Sequence, residues 1–510
     1  MEPSVIISFV IIPLFAAFLI PLVGRLVGGF QRILTSSIML LLLVLSVFIT
    51  LQGPETITYM AGGWEPVGGV PIAIYLVLDP LSGFLLTIIN LLGFMSVFYA
   101  ISYMRRYTSE NLFYTLVCLM VAGMNGVVLS GDLFNLYVFL EISVISSYAL
   151  VAFGVGKTEL EASYKYQVLG ALASLLVLFG IAMIYWRTKT LNIADISVLL
   201  QHARHDTFLV FVQLILITGF GIKAALIPFH AWLPDAHSSA PSPISAMLSG
   251  VLIKAVGVYV LIRLFFNMFQ LDTSLAIVFT AIGALSMIIG VVLAIGQWDL
   301  KRLLAYHSIS QMGYVVTGIG MGMILLARGG DKSIAALAIG GGLFHMINHA
   351  VFKGLLFLNA GAIEYAAGTR DMKKMGGLAR HMPVTLSSSF SASMAISGMP
   401  PFNGFFSKLI IIVAAIQGEF YLLAVLAVIA GIVTLASFMK FQRFAFYNKP
   451  EKEPTAREVP LAMRFSMVTL ALLCLLLSLL IIPDIRQIFL EPAVNTLIET
   501  TEYATKVLKL

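Results

Sequence analysis

Five charged side chains lie in stretches where charge is least expected. Lys223, Lys254, Lys353 and Lys408 each fall inside an apolar run, and Glu141 does so in VFLEISVISSY. A Lys at the bilayer centre costs about 2.5–3.5 kcal/mol on insertion scales. Membrane helices pack well on Gly, Ala and Ser without it. The default reading of such groups is an ion or proton path. Snorkelling to the interface is the alternative. It suits Lys353, nearer to a span end, better than Lys254, which sits deep in its run. Glu141 and Lys223 make a natural intramembrane pair. Burial favours a neutral amine and a neighbouring carboxylate favours the charged one, so separating them releases a proton. A purely architectural salt bridge is the rival.

In FHMINHAVFKG, His345, His349 and Lys353 recur every four residues and share one helix face. They extend over about 12 Å at 1.5 Å per residue. Such a ladder suits proton hopping. Two His at this spacing also match metal ligation, but a Lys one turn on would repel a cation. Simple polar packing is a third reading.

Two apolar runs are interrupted. IPFHAWLPDAHSSAPSPISAM carries Pro228, Pro234, Pro241 and Pro243, and SGMPPFNGFFSKL carries Gly398, Pro400, Pro401 and Gly404. Proline removes a backbone donor and breaks a helix. Irregular backbone at membrane depth is tolerated only inside protein or beside a water-filled cavity. Lys223 precedes the Pro228 break and Lys408 follows the Pro400–Pro401 break. Interrupted helices at corresponding places in two halves point to inverted repeats around a midplane ion site. His230 and His237, with Asp235 between them, flank the first break as proton-uptake groups near the cytoplasm; loop capping fits them equally well.

The elements that carry these groups must be membrane helices. Of 510 residues, 59% are hydrophobic and 11% charged, against about 25% charged in a soluble chain. The mean hydropathy is +0.98. These figures exclude a soluble enzyme, a disordered protein and a nucleic-acid binder. The net charge of +6 is scattered over short loops and gives no basic patch. Cys118 and Cys474 lie in apolar runs with no CxxC, too few for an iron–sulfur cluster. The chain has no nucleotide loop, nucleophile constellation or metal set, so no cofactor is expected in it. Any Fe–S or Ni–Fe centre would lie on partner subunits. The start MEPSVIIS lacks a basic n-region, so the first run reads as a retained span.

Windows of about 20 apolar residues fall near 4–23, 33–51, 78–103, 112–129, 133–153, 166–186, 208–227, 243–263, 274–295, 303–323, 334–363, 385–417, 420–439 and 461–483. The tenth is untidy because it carries Ser, His and Gln. With fourteen spans and the N-terminus outside, 18 Lys and Arg fall in inner loops, Lys301 and Lys452 among them. Nine fall outside, Arg204 and Arg263 among them, and four lie within spans. The excess of inner positive charge supports this topology in the plasma membrane, with both termini outside. Four regions follow: spans one to three over 1–111, spans four to eight over 112–265, spans nine to thirteen over 274–441, and the last span with an amphipathic tail over 442–510. Spans seven and twelve are the discontinuous ones. Five helices per unit make the two repeats inverted. Residues 52–77, rich in Gly and Pro, suggest an external hairpin or irregular cap, and 484–510 a helix on the membrane surface.

The chain resembles the antiporter-like subunits shared by Mrp cation/proton antiporters, respiratory complex I and membrane-bound hydrogenases. The matching segments are GGWEPVGG with LDPLSG, the Glu141 helix, SYKYQVLGALAS, KAALIPFHAWLPDAHSSAPSPISAMLSGVLIK, DLKRLLAYHSISQMGY, HMINHAVFKGLLFLNAG and SGMPPFNGFFSKL, from about 60 to 410. The resemblance implies an all-α fold of fourteen helices with two inverted five-helix units. It maps the proton path onto Glu141, Lys223, Lys254, His345, His349 and Lys408. Some members carry Glu at the last position; Lys408 looks like the D-type Mrp subunit. The implied function is a proton-translocating subunit of a membrane-bound hydrogenase or related respiratory complex. A D-type Mrp Na+/H+ antiporter subunit, a stand-alone secondary transporter and an inert scaffold for a redox arm are the alternatives. Implied partners are other membrane and peripheral subunits, lipids, and H+ or Na+. Deep acids are scarce apart from Glu141, which favours protons over sodium.

Overall fold

The computed structural model describes residues 2–53, 55–64, 71–107, 109–201, 206–449, 456–500 and 502–509. Within them twelve helices are long and apolar enough to cross a membrane. In chain order α1 is Pro3–Val23, α2 Phe30–Leu51, α3 Pro80–Arg106, α4 Glu110–Leu129, α5 Leu133–Gly154 and α6 Lys157–Thr188. The shorter α7, Thr207–Lys223, and the stub α8, Leu233–Ser239, precede α9, Ser242–Asn267. Then come α10 Thr273–Ile295, α11 Leu300–Ala327 and α12 Lys332–Ala367. The short α13 Pro383–Ser397 and α14 Asn403–Gln417 are followed by α15 Tyr421–Tyr447 and α16 Leu461–Ile481. The chain is an all-α multi-pass membrane protein.

Aspartate starts many of these helices. Asp79, Asp132, Asp206, Asp272, Asp299 and Asp331 each accept a backbone N–H of the first turn, satisfying donors that a helix leaves free. Asp79 forms a full capping box with Ser82, and Pro80 follows it. The apolar residues then decide position. The most apolar window of α9 is entirely buried, and α11 and α12 are nearly so. Phe15 and Phe18 of α1 and Leu422 and Ile432 of α15 are exposed, as suits helices that meet lipid. α9 and α12, which carry Lys254 and Lys353, are thus among the most enclosed helices, together with α3, α4 and α11.

Both expected breaks are present. α7 stops at Lys223, and Ala225 takes φ +53°, a left-handed conformation unusual for a residue with a Cβ. The freed backbone groups find partners: Leu226 N–H donates to Gly221 O (3.0 Å), Ile227 N–H to Ser286 Oγ (2.9 Å), and Trp232 Nε1–H to Ile222 O (2.8 Å). α13 ends on Gly398 at φ +78°. α14 is pinned at its start by Asn348, which donates to Asn403 O (3.0 Å) and accepts from Asn403 Nδ2 (2.9 Å). Pro228, Pro400 and Pro401 thus sit within the irregular segments. A third irregularity had no proline to announce it: α9 contains two wide π-helical stretches, Leu248–Leu252 and Lys254–Val258.

The hairpin expected over 52–77 forms from β1 (Ile57–Ala61) and β2 (Ile74–Leu78), antiparallel, with Ile57 opposite Leu78 and Ala61 opposite Ile74. Residues 65–69 of GGWEPVGG, like Arg204 and Lys452, lie outside the described residues. Three expectations need correction. Arg263 is no loop charge: it lies inside α9, 3% exposed, and its guanidinium grips Asp79 through two bonds of 2.6 and 2.8 Å. Lys301 is likewise buried, donating to Ala240 O (3.1 Å) beside Glu364 (3.3 Å). The tail's apolar face, expected against lipid, is covered by the protein itself. Its helices Glu491–Ile498 and Glu502–Leu508 bury Leu497, Tyr503 and Val507, Thr496 O accepts from Asn267 (3.1 Å), and the Tyr503 ring lies 5.2 Å from the Arg263 guanidinium.

Candidate functional site

The first cluster follows from close helix packing. A Cβ added to Gly219 of α7 would lie 2.9 Å from Val177 Cγ2 and 3.1 Å from Ala173 O of α6. That approach, one turn before Lys223, brings its ammonium against Ser174. Lys223 Nζ donates to Ser174 Oγ at 2.8 Å and stands 3.8 Å from Glu141 Oε1. Ser174 Oγ in turn donates to Glu141 Oε1. The expected Glu141–Lys223 pair is therefore real but bridged: 3.8 Å is too long for a direct hydrogen bond. Lys223 is buried, while the Glu141 side chain is a quarter exposed at the rim.

Lys254 is wholly buried. The wide turn before it leaves carbonyls that its own ammonium satisfies, Ser249 O at 2.9 Å and Gly250 O. Lys353 is also wholly buried and donates to Leu304 O of α11. α12 runs on to Ala367, and the Lys353 ammonium is enclosed by protein rather than extended toward solvent as snorkelling requires. His345 and His349 share its helix and are fully buried. His345 bridges two helices, with Nδ1 2.9 Å from Ser407 Oγ and Nε2 3.2 Å from Gln311 Oε1. The His349 ring meets the Phe352 ring edge-on, and neither nitrogen has a hydrogen-bond partner among the described residues. Lys408, next to Ser407, donates to Ile396 O (2.7 Å), a carbonyl at the end of α13, and lies 4.8 Å from the Tyr314 ring. A cation suits the carbonyl end of a helix.

The two uptake candidates part company. His230 is half-buried beside the break. His237 is fully buried between the rings of Trp232 and Phe357, and neither ring nitrogen has a hydrogen-bond partner among the described residues. Asp235 between them bonds Lys165 of α6 (3.1 Å) and Arg302 of α11 (2.6 Å), tying those two helices together through α8. Burial would raise its carboxyl; those two cations hold it below the usual carboxylate range.

Sequence reasoning missed three members of this array. Ser174 is the last residue of SYKYQVLGALAS, and only packing reveals its place. His307 of α11 is fully buried, neither ring nitrogen has a hydrogen-bond partner among the described residues, and it lies within electrostatic reach of Lys353 and Lys408. Its signal was the Ser, His and Gln that made the tenth window untidy. Ser407 hides beside the more conspicuous Lys408. No group of three or more His, Cys, Asp and Glu side chains suited to a metal occurs among the described residues.

Residues 130–434 match the family described as NADH:quinone oxidoreductase/Mrp antiporter, and residues 64–114 match the N-terminal part of complex I chain 5. The chain belongs to this family. It is 34% identical to the N-type subunit of the NADH-quinone oxidoreductase of Desulforudis audaxviator, covering 88% of each chain. It is also 34% identical to the D-type subunit of the Na+/H+ antiporter of Alkalihalophilus pseudofirmus, covering 82% of each. A chain of the Mrp complex from Dietzia superposes over the full length of both chains with a TM-score of 0.88 at 26% identity. One from an archaeal membrane-bound sulfane sulfur reductase does so over 99% of each, again at 0.88, with 28% identity. This is an antiporter-like membrane subunit with buried charged and hydrogen-bonding residues suited to ion translocation. Of the two complexes expected, these relatives favour the D-type Mrp subunit over the hydrogenase.

Proposed function

We propose that this chain is the D-type subunit of an Mrp-like cation/proton antiporter complex and moves protons through its own buried groups. The twelve long helices, with α7–α8 and α13–α14 as two broken crossings, make fourteen passages. α4 to α9 and α10 to α15 are the inverted units, and both termini face outward. A proton from the cytoplasmic side, near His230 and Asp235, reaches Lys254. It moves through Lys353, His349 and His345 to Lys408 and leaves to the outside, while Glu141 and Lys223 gate the loading. The observation that carries this reading is the burial of five titratable side chains among the membrane-spanning helices, three of them on one face of α12. Lys254, Lys353, His349, His345 and Lys408 lie on α9, α12 and α14, and Ser407 links His345 to the helix of Lys408. Full-length likeness to an Mrp chain and 34% identity to a D-type antiporter subunit support the D-type assignment. The test is cation-driven proton movement in vesicles bearing the assembled complex, with Lys223→Ala and Lys408→Ala. Loss of transport with assembly intact is expected. Near-normal transport in both would refute the reading.

A further inference from the structure

The Glu141–Lys223 pair is joined by a third residue with a property neither charge has. A serine hydroxyl carries one hydrogen and can accept as well. Ser174 Oγ accepts from Lys223 Nζ at 2.8 Å, so its acceptor side is committed. For its one hydrogen it has two acceptors within reach: Glu141 Oε1, and Gly170 O one turn back on α6 at 3.0 Å. Only one can be served at a time. The ammonium of Lys223 makes no other hydrogen bond among the described residues, and 3.8 Å separates it from the carboxylate. Glu141 is thus linked to the ammonium through a rotor rather than by contact. The helices place the hydroxyl beside the ammonium: Gly219 brings α7 onto α6, and Ser174 is buried in that seam.

We infer that Ser174 is the positioning residue that couples Glu141 to Lys223. With its hydrogen toward Glu141, the hydroxyl holds the carboxylate and turns its lone pair to the ammonium, and the charged pair is closed. When the carboxylate swings toward the rim, where Glu141 is partly exposed, the hydrogen turns back to Gly170 O. The buried ammonium then keeps only a neutral acceptor, and an amine so placed gives up its proton, which passes to the path that loads Lys254 in the function proposed above. The hydroxyl neither gains nor loses a proton; it moves a hydrogen bond. This rests on the gate proposed above for Glu141 and Lys223.

The experiment is proton transport by the assembled complex across pH, for Ser174→Ala, Ser174→Thr, Glu141→Ala and Lys223→Ala, each normalised to complex recovered by co-purification. Ser174→Ala should lower transport by about tenfold or more, the worth of a hydrogen bond to a charged group, and displace the pH optimum. Ser174→Thr keeps the hydroxyl and should restore both. Normal transport in Ser174→Ala, alongside loss in Glu141→Ala and Lys223→Ala, would overturn the role of Ser174 and leave the gate standing. So would a loss that threonine fails to restore, or that leaves the pH profile unmoved, since that is packing. Normal transport in Glu141→Ala and Lys223→Ala would remove the gate itself, and the inference with it.

Discussion

Two of the acid–base pairs in this protein, Asp79–Arg263 and Glu141–Lys223, are built in opposite ways. Asp79 and Arg263 meet through two direct bonds of 2.6 and 2.8 Å, and both are almost fully buried. Ser82 bonds the carboxylate, while Tyr259 and Asn267 bond the guanidinium. Glu141 and Lys223 stand 3.8 Å apart, share one hydroxyl, and leave the carboxylate a quarter exposed. Arg cannot be deprotonated in a protein, whereas Lys can. The first pair is therefore a clamp that seats the start of α3 against α9 and the tail. The second is the arrangement proposed above to open. Burial of a charge alone does not mark a moving site; redundancy of partners separates fastening from switching.

The largest expected effect breaks the clamp. Arg263→Ala leaves Asp79 buried and unpaired, which costs about 3–5 kcal/mol. The yield of folded subunit and its thermal midpoint should fall together, while surviving complex transports normally per molecule. Acid should do the same more gently. Burial pushes the Asp79 carboxyl up, but Arg263 and Ser82 hold it below the usual range. Its stabilisation is thus complete above the unfolded-state value, at neutral pH, and is lost as pH falls through the depressed folded value. Thermal midpoints of wild type and of Asp79→Asn across acidic pH check this: the variant should lack that part of the acid dependence.

A smaller effect sharpens the other side. Gly219→Val should force α7 from α6, because even a Cβ there falls 2.9 Å from Val177 Cγ2. Overpacking of this kind costs about 1–3 kcal/mol. Transport should drop further than assembly, which co-purification and vesicle assays on one sample would separate. The smallest effect belongs to Asp235. Its bridges to Lys165 and Arg302 are partly exposed, so Asp235→Asn should cost about 1 kcal/mol or less, read as a slight drop in thermal midpoint.

Much of this architecture was legible from residue types alone. Prolines announced both breaks, because a missing N–H and a fixed φ act locally whatever surrounds them. The four lysines stood out as candidates for the proposed path, because hydrocarbon makes each one conspicuous. Other features were silent for equally physical reasons. The π-turns of α9 depend on tertiary packing around Leu248–Val258 and have no residue signature. Arg263 sits at the end of an apolar run, so it counted as a loop charge until Asp79, far off in sequence, proved to face it. Ser174 is one serine among many in membrane helices, and only the approach of α7 distinguishes it. Lys353 had the ambiguous place near an apparent span end, resolved by a helix that runs on to Ala367.

The central claim is that the looser pair is a switch. The most direct test is proton transport per assembled complex for Glu141→Gln, which keeps the side chain's shape and removes its charge. The account predicts normal assembly with transport reduced by about tenfold or more. Transport at the wild-type rate in an intact Glu141→Gln complex would contradict it.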